Sequence, residues 1–232
     1  MKTLSKLFLP TFIFFSISCT HEAIVQPIYT DTGSIIVDPP PPLVESDTVC
    51  FNTEILPLYT TYCSSPGCHD ANSHEEGVIL TSYAQIKSGI TAKNPGRSPY
   101  YTIIGNGMPP KNSPKMTSDQ IATILKWINQ GALNTNCINS CDTTKFTYTD
   151  PIQGLISTNC NGCHGNSPGS GNVYLGDYAS AKAYISANQA LFINAITHST
   201  NLTPAQRMPP SNKMVDCQIS QFEKWINAGY PQ

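Results

Sequence analysis

From Cys63 to Gly229 the chain runs through one series of landmarks twice. Cys63-Ser64-Ser65-Pro66-Gly67-Cys68-His69 is answered by Cys160-Asn161-Gly162-Cys163-His164. Nine residues after each histidine comes a matching segment, Val78-Ile79-Leu80-Thr81-Ser82-Tyr83 and then Val173-Tyr174-Leu175-Gly176-Asp177-Tyr178. Met108-Pro109-Pro110 and Met208-Pro209-Pro210 follow. Each series closes on a tryptophan, in Trp127-Ile128-Asn129-Gln130-Gly131 and Trp225-Ile226-Asn227-Ala228-Gly229. Histidine to methionine is 39 residues in the first copy and 44 in the second, and methionine to tryptophan is 19 and 17. Four landmarks in fixed order mark a tandem duplication. The longer second interval fits a loop insertion around 197–205. Each copy is about 90 residues, an ordinary domain size. The expected domains are 49–136 and 137–232.

Within each copy the apolar spacing is helical. Ile121, Ile124, Leu125 and Ile128 fall at i, i+3, i+4 and i+7, one face of a helix. Thr117 with Gln120 forms a capping-box start, and Gly131 suits a left-handed stop. In the second copy Ile219, Phe222 and Ile226 repeat the stripe, with Asp216 as the expected cap and Gly229 as the stop. Helices are also expected over 51–62 and 151–159, leading into the two cysteine pairs. No alternating strand pattern stands out, so each copy is expected to be all-α.

Cys-x-x-Cys-His is the attachment signature of c-type haem. Two thiols about one helical turn apart can bond the two vinyl groups of one porphyrin, and the next residue turns an imidazole toward the iron. Cys160, Cys163 and His164 meet the pattern. Cys63, Cys68 and His69 have four intervening residues, and Pro66-Gly67 supplies a turn for bulging the additional two outward. Zinc would require four protein ligands, and neither copy offers a second Cys/His pair nearby. A redox disulfide between Cys160 and Cys163 would leave the histidines unexplained.

An electron-carrying haem calls for a sixth ligand, and a methionine thioether raises its potential. Met108 and Met208 stand at matching places before Pro-Pro and are the expected axial partners of His69 and His164. Met116 and Met214 lie nearby, follow the Pro-Pro pairs at unequal intervals and lack that context, which makes them internal controls. His198 is the alternative ligand in the second copy, although a solvated loop histidine is the more ordinary reading. Arg97 and Arg207 are weaker candidates for pairing with propionates. Trp127 and Trp225 read as core residues.

The ends of the chain speak to its location. Lys2 and Lys6 precede a short apolar stretch ending in Ser16-Ile17-Ser18-Cys19. That reads as an export signal over 1–18, with an apolar stretch too short to span a bilayer as a mature helix. Small residues running into Cys19 resemble the lipobox of bacterial lipoproteins, in which the cysteine is lipidated. The segment 19–48 includes Asp38-Pro39-Pro40-Pro41-Pro42 and reads as a semi-stiff tether. Loss of the leader leaves 11 basic and 15 acidic residues, a balance that excludes an ordinary nucleic-acid binder.

These landmarks together resemble the cytochrome c superfamily, and within it the planctomycete-type cytochrome c domain. That group has a haem motif, a Leu-x-x-Tyr segment, a Met-Pro-Pro loop and a last helix ending Trp-Ile-x-x-Gly. The likeness spans 49–232, and the four-residue spacer of the first motif is its one departure. It implies two tandem cytochrome c-like domains, each wrapped around one covalently bound haem c. His69 with Met108 and His164 with Met208 would be the axial ligands, and the function electron transfer. The fold also implies that domain ends meet, which pairs Cys50 with Cys137 and Cys141 with Cys217. Four cysteines allow three pairings, and a tight Cys137–Cys141 bridge is another. The expected protein is a lipid-anchored dihaem carrier on the periplasmic side of the outer membrane, exchanging electrons with redox partner proteins. The alternatives are a dihaem peroxidase-like enzyme and a haem-containing envelope sensor or binding module.

Overall fold

The computed structural model describes residues 47–137, 141–210 and 212–232. The leader, Cys19 and nearly all of the tether lie outside the described residues. The described residues contain no β-strand, and none of their helices is long and apolar enough to cross a membrane.

They belong to one compact unit, Val44–Gln232. The first copy opens on a π-helical turn, Phe51–Ile55, that runs into α1, Leu56–Tyr62. Three further helices follow: α2, Tyr83–Ser88; α3, Pro99–Thr102; and α4, Ser118–Asn129. The second copy holds α5, Ile152–Asn159, and α6, Asn161–His164. Then come α7, Tyr178–Ala187; α8, Gln189–Ile196; and α9, Asp216–Asn227.

Thr117 and Gln120 form a reciprocal capping box at the start of α4. Gly131 and Gly229 both take positive φ, as the left-handed ends of α4 and α9 require. Asp216 is not the cap of α9 but its first helical residue, with Val215 at the cap. There its charge still complements the positive helix start.

Buried apolar side chains form two clusters. One gathers Phe51, Ile55, Tyr59, Ile86, Ile124 and Trp127, and the other Tyr148, Ile152, Ile156, Ile185, Phe222 and Trp225. Met116 belongs to the first and Met214 to the second. The same contacts recur at matched positions. The indole N–H of Trp127 donates to the Leu133 carbonyl, and that of Trp225 to Pro231, each at 2.9 Å. The Tyr83 hydroxyl donates to the Ala132 carbonyl at 2.9 Å, and Tyr178 to Tyr230 at 2.7 Å. Tyr83 meets Phe51 edge-on at 5.0 Å, as Tyr178 meets Tyr148 at 5.0 Å. The Leu-x-x-Tyr segment and the tryptophan helix therefore serve the same packing task in each copy.

Disulfides join Cys50 to Cys137 and Cys141 to Cys217, with Cα separations of 5.8 and 6.0 Å. They close loops spanning 87 and 76 positions. Converting Cys50 and Cys137 to serine is expected to cost roughly 3–5 kcal/mol, the loop-closure entropy returned to the unfolded chain. Guanidinium unfolding will register this as a lower midpoint; an unchanged midpoint would contradict it.

Candidate functional site

The second Cys-His motif is shaped by a break between two helices. The Cys160 amide closes the last turn of α5 on Ile156 at 2.9 Å. The chain restarts immediately as α6, and the His164 amide donates to the Cys160 carbonyl at 2.9 Å. Cys160 and Cys163 are thus one helical turn apart, with His164 next in line.

His164 is anchored twice by the segment that follows it. Its carbonyl accepts from the Leu175 amide at 2.8 Å. Its Nδ1 lies 3.2 Å from the Val173 carbonyl. A carbonyl only accepts, so Nδ1 carries the proton and Nε2 keeps its lone pair. Burial lowers the His164 pKa against the raising effect of the Val173 and Ser170 carbonyls, which favours the neutral, ligating form.

Cys160, Cys163, His164 and Met208 line one cleft of about 490 Å³. Leu175, Phe192 and Ile196 give it apolar walls. Its size lies within the range of roughly 300–1,000 Å³ typical of small-molecule and cofactor sites. Between the cleft-lining Gln206 and Met208 stands Arg207, whose buried Nε has no protein partner. Two thiols, an oriented imidazole and a thioether form a donor set that fits a covalently held haem, and the unpartnered Arg207 Nε, next in sequence to the lining residues, suits an acidic substituent. Among the described residues no three His, Cys, Asp or Glu side chains gather as a metal-binding group. A haem asks the protein for only two axial donors.

The Met-Pro-Pro loops are held by side chains that spacing did not reveal. Pro209 is buried, and its carbonyl accepts from His198 Nε2 at 2.9 Å. The Met208 amide donates to the Ala195 carbonyl at 3.0 Å. His198 is therefore committed to the loop, neither simply solvated nor free to ligate through Nε2. In the first copy Lys115 Nζ performs the same task, donating to the Pro109 carbonyl and, at 2.7 Å, to Pro110. His198→Ala is expected to lower stability by about 1–3 kcal/mol, the cost of leaving a buried acceptor unpaired. A urea midpoint equal to that of the unmodified protein would contradict it.

The first motif has the same frame around its histidine. The His69 carbonyl accepts from the Leu80 amide at 2.9 Å, and the Cys63 amide closes α1 on Tyr59 at 2.9 Å. Burial, then the neighbouring Cys68, pushes the Cys63 thiol up to about 12. Cys160 is pushed up to about 12 by burial and then Cys163. The leading thiol of each pair is thus kept protonated in an apolar setting. Cys68 is also raised, by burial first and then by Asp70, Cys163 and Glu75. The copies also differ around the motif. His69 Nδ1 is buried without a hydrogen-bond partner. Met108 is 37% exposed, and Cys63, Cys68, His69 and Met108 do not line the 490 Å³ cleft.

The spacer of the first motif departs from expectation. Pro66 and Gly67 do form an exposed turn, but Ser65 and Pro66 line the second cleft. Gly162 was an available signal: it stands where a side chain would collide with the Thr61 carbonyl, so only glycine lets the two motifs approach. Known protein families, curated proteins and solved structures yield no match to this chain.

Proposed function

We propose that this protein is a dihaem c-type cytochrome that carries electrons in the bacterial cell envelope, tethered to a membrane through lipidated Cys19. The observation that carries the reading is the cleft in which Cys160, Cys163, His164 and Met208 converge, with His164 Nε2 left free by the bond at Nδ1. Haem iron supplies reversible one-electron chemistry when bound. Cys160 and Cys163 would tether the porphyrin, His164 and Met208 would face the iron, and the apolar walls would exclude water from it. Arg207 would offer its guanidinium to a propionate. By the correspondence of the repeats, Cys63, Cys68, His69 and Met108 take the same roles in the first copy. The two domains would then be cytochrome c-like units.

A dihaem peroxidase-like enzyme is the second reading, and the exposure of Met108 is what favours it. An exchangeable position at one iron is what such an enzyme requires. Carbon monoxide added to the dithionite-reduced protein separates the two. The carrier reading predicts that neither haem takes up carbon monoxide rapidly. Rapid binding at one haem would replace it with the enzyme reading.

A further inference from the structure

The two Cys-His motifs lie 97 positions apart at their first cysteines yet touch in space. The Ser65 hydroxyl is 3.5 Å from Cys163 Sγ. Gly162 abuts the backbone of Thr61. The Tyr62 hydroxyl donates to the Ser157 carbonyl at 2.9 Å, and Gln120 Nε2 reaches the same carbonyl at 3.2 Å and Ser157 Oγ at 3.1 Å. The contact is therefore a built junction between α1 with its following loop and α5 with α6. On the first-motif side Ser64 is buried and donates to the Leu80 carbonyl at 3.1 Å, fixing the start of the spacer.

We propose that the four-residue spacer of the first motif is a working part of the second cofactor site. A two-residue spacer suffices to bond both vinyl groups, so the first haem does not account for the additional residues. What they do in the fold is carry Ser65 and Pro66 into the wall of the second cleft. Once Cys163 is a thioether its sulfur has no hydrogen, so Ser65 Oγ–H becomes the donor in their contact. Hydrogen bonding beside a haem's protein ligands and exclusion of water both tune its potential. Ser65 is thus a positioning and tuning residue for the haem held by Cys160 and Cys163, supplied by the other copy. The second site is incomplete without the first copy, which gives the duplication a reason to stay in one chain.

The inference rests on the dihaem reading, and two substitutions in the full-length, haem-loaded protein test it. Ser65→Trp fills the wall of the second cleft. Proteolytic mapping is expected to find haem retained on the peptide with Cys63 and Cys68 and reduced at least several-fold on the peptide with Cys160 and Cys163. Loss from the first peptide alone, or from neither, overturns the inference. Ser65→Ala keeps the packing and removes the donor. In a spectroelectrochemical titration it is expected to shift the component that Met208→Ala also displaces and leave the other in place. A shift in the other component alone, or in neither, overturns the inference even if Ser65→Trp fails to fold. The dihaem reading fails separately: an unmodified protein without covalent haem on either peptide defeats it before any variant is made.

Discussion

On the proposed dihaem reading, replacing Cys160 and Cys163 together by alanine is expected to remove one haem from the purified protein and unfold the second core cluster. The cleft these cysteines line is walled by Leu175, Phe192 and Ile196, which belong to the same cluster as Trp225 and Phe222. A porphyrin covering a few hundred Å² of that apolar wall contributes on the order of 5–10 kcal/mol at roughly 25 cal/mol per Å². Small domains have a total stability of about 5–15 kcal/mol, so the loss removes most of it. Far-UV circular dichroism will read this as weakened helical signal and a broad, early melt, with intact mass lower by one haem. A haem-deficient variant with unchanged helical signal and melting temperature would contradict it. The Cys141–Cys217 bridge ties α9 to the segment before α5 and leaves the chain collapsed without restoring the packing.

On the same reading, Met208→Ala is expected to open the sixth position of the second haem. Among the described residues lining the cleft the thioether is the one soft donor besides the Cys160 and Cys163 sulfurs, and alanine offers nothing in its place. The expected result is a high-spin ferric component for one haem, rapid carbon monoxide binding when reduced, and a lower midpoint potential for that haem alone. Met214 is the control. It is buried in the second cluster, so Met214→Ala is expected to cost about 2–5 kcal/mol through the cavity left behind while the haem spectrum stays low-spin. If Met208→Ala leaves both haems low-spin and closed to carbon monoxide, Met208 is not the ligand. A spectrum disturbed by Met214→Ala instead would move the assignment there.

What was legible in the sequence is what short-range spacing controls. The stripe of Ile121, Ile124 and Ile128 and the Thr117–Gln120 box place α4, and the left-handed Gly131 ends it. The paired tryptophans and tyrosines were visible as a repeat, and they make matched hydrogen bonds and ring contacts. The turn of α6 that brings Cys160, Cys163 and His164 together follows directly from their spacing. The junction between the copies was not legible. Ser65 and Cys163 are separated by 98 positions, and no periodicity links a spacer serine to a cysteine in another repeat. The holders of the Met-Pro-Pro loops were hidden for a different reason. Lys115 follows Pro109 by six residues, whereas His198 precedes the matching Pro209 by eleven, so one hydrogen bond is made from unrelated positions. Met108 is exposed and Met208 half-buried although both open a Met-Pro-Pro stretch, so their exposure is set by packing beyond the shared tripeptide.

Covalent haem is the property from which every proposed role of Cys63, Cys68, Cys160 and Cys163 follows. The protein should be produced with the c-type maturation machinery, then denatured, and its intact mass and pyridine haemochrome spectrum recorded. The expected mass is that of the processed chain plus two haems and the lipid on Cys19, with two haems per chain in the spectrum. A mass matching the polypeptide with Cys63, Cys68, Cys160 and Cys163 unmodified, and no haem absorbance after denaturation, would contradict it.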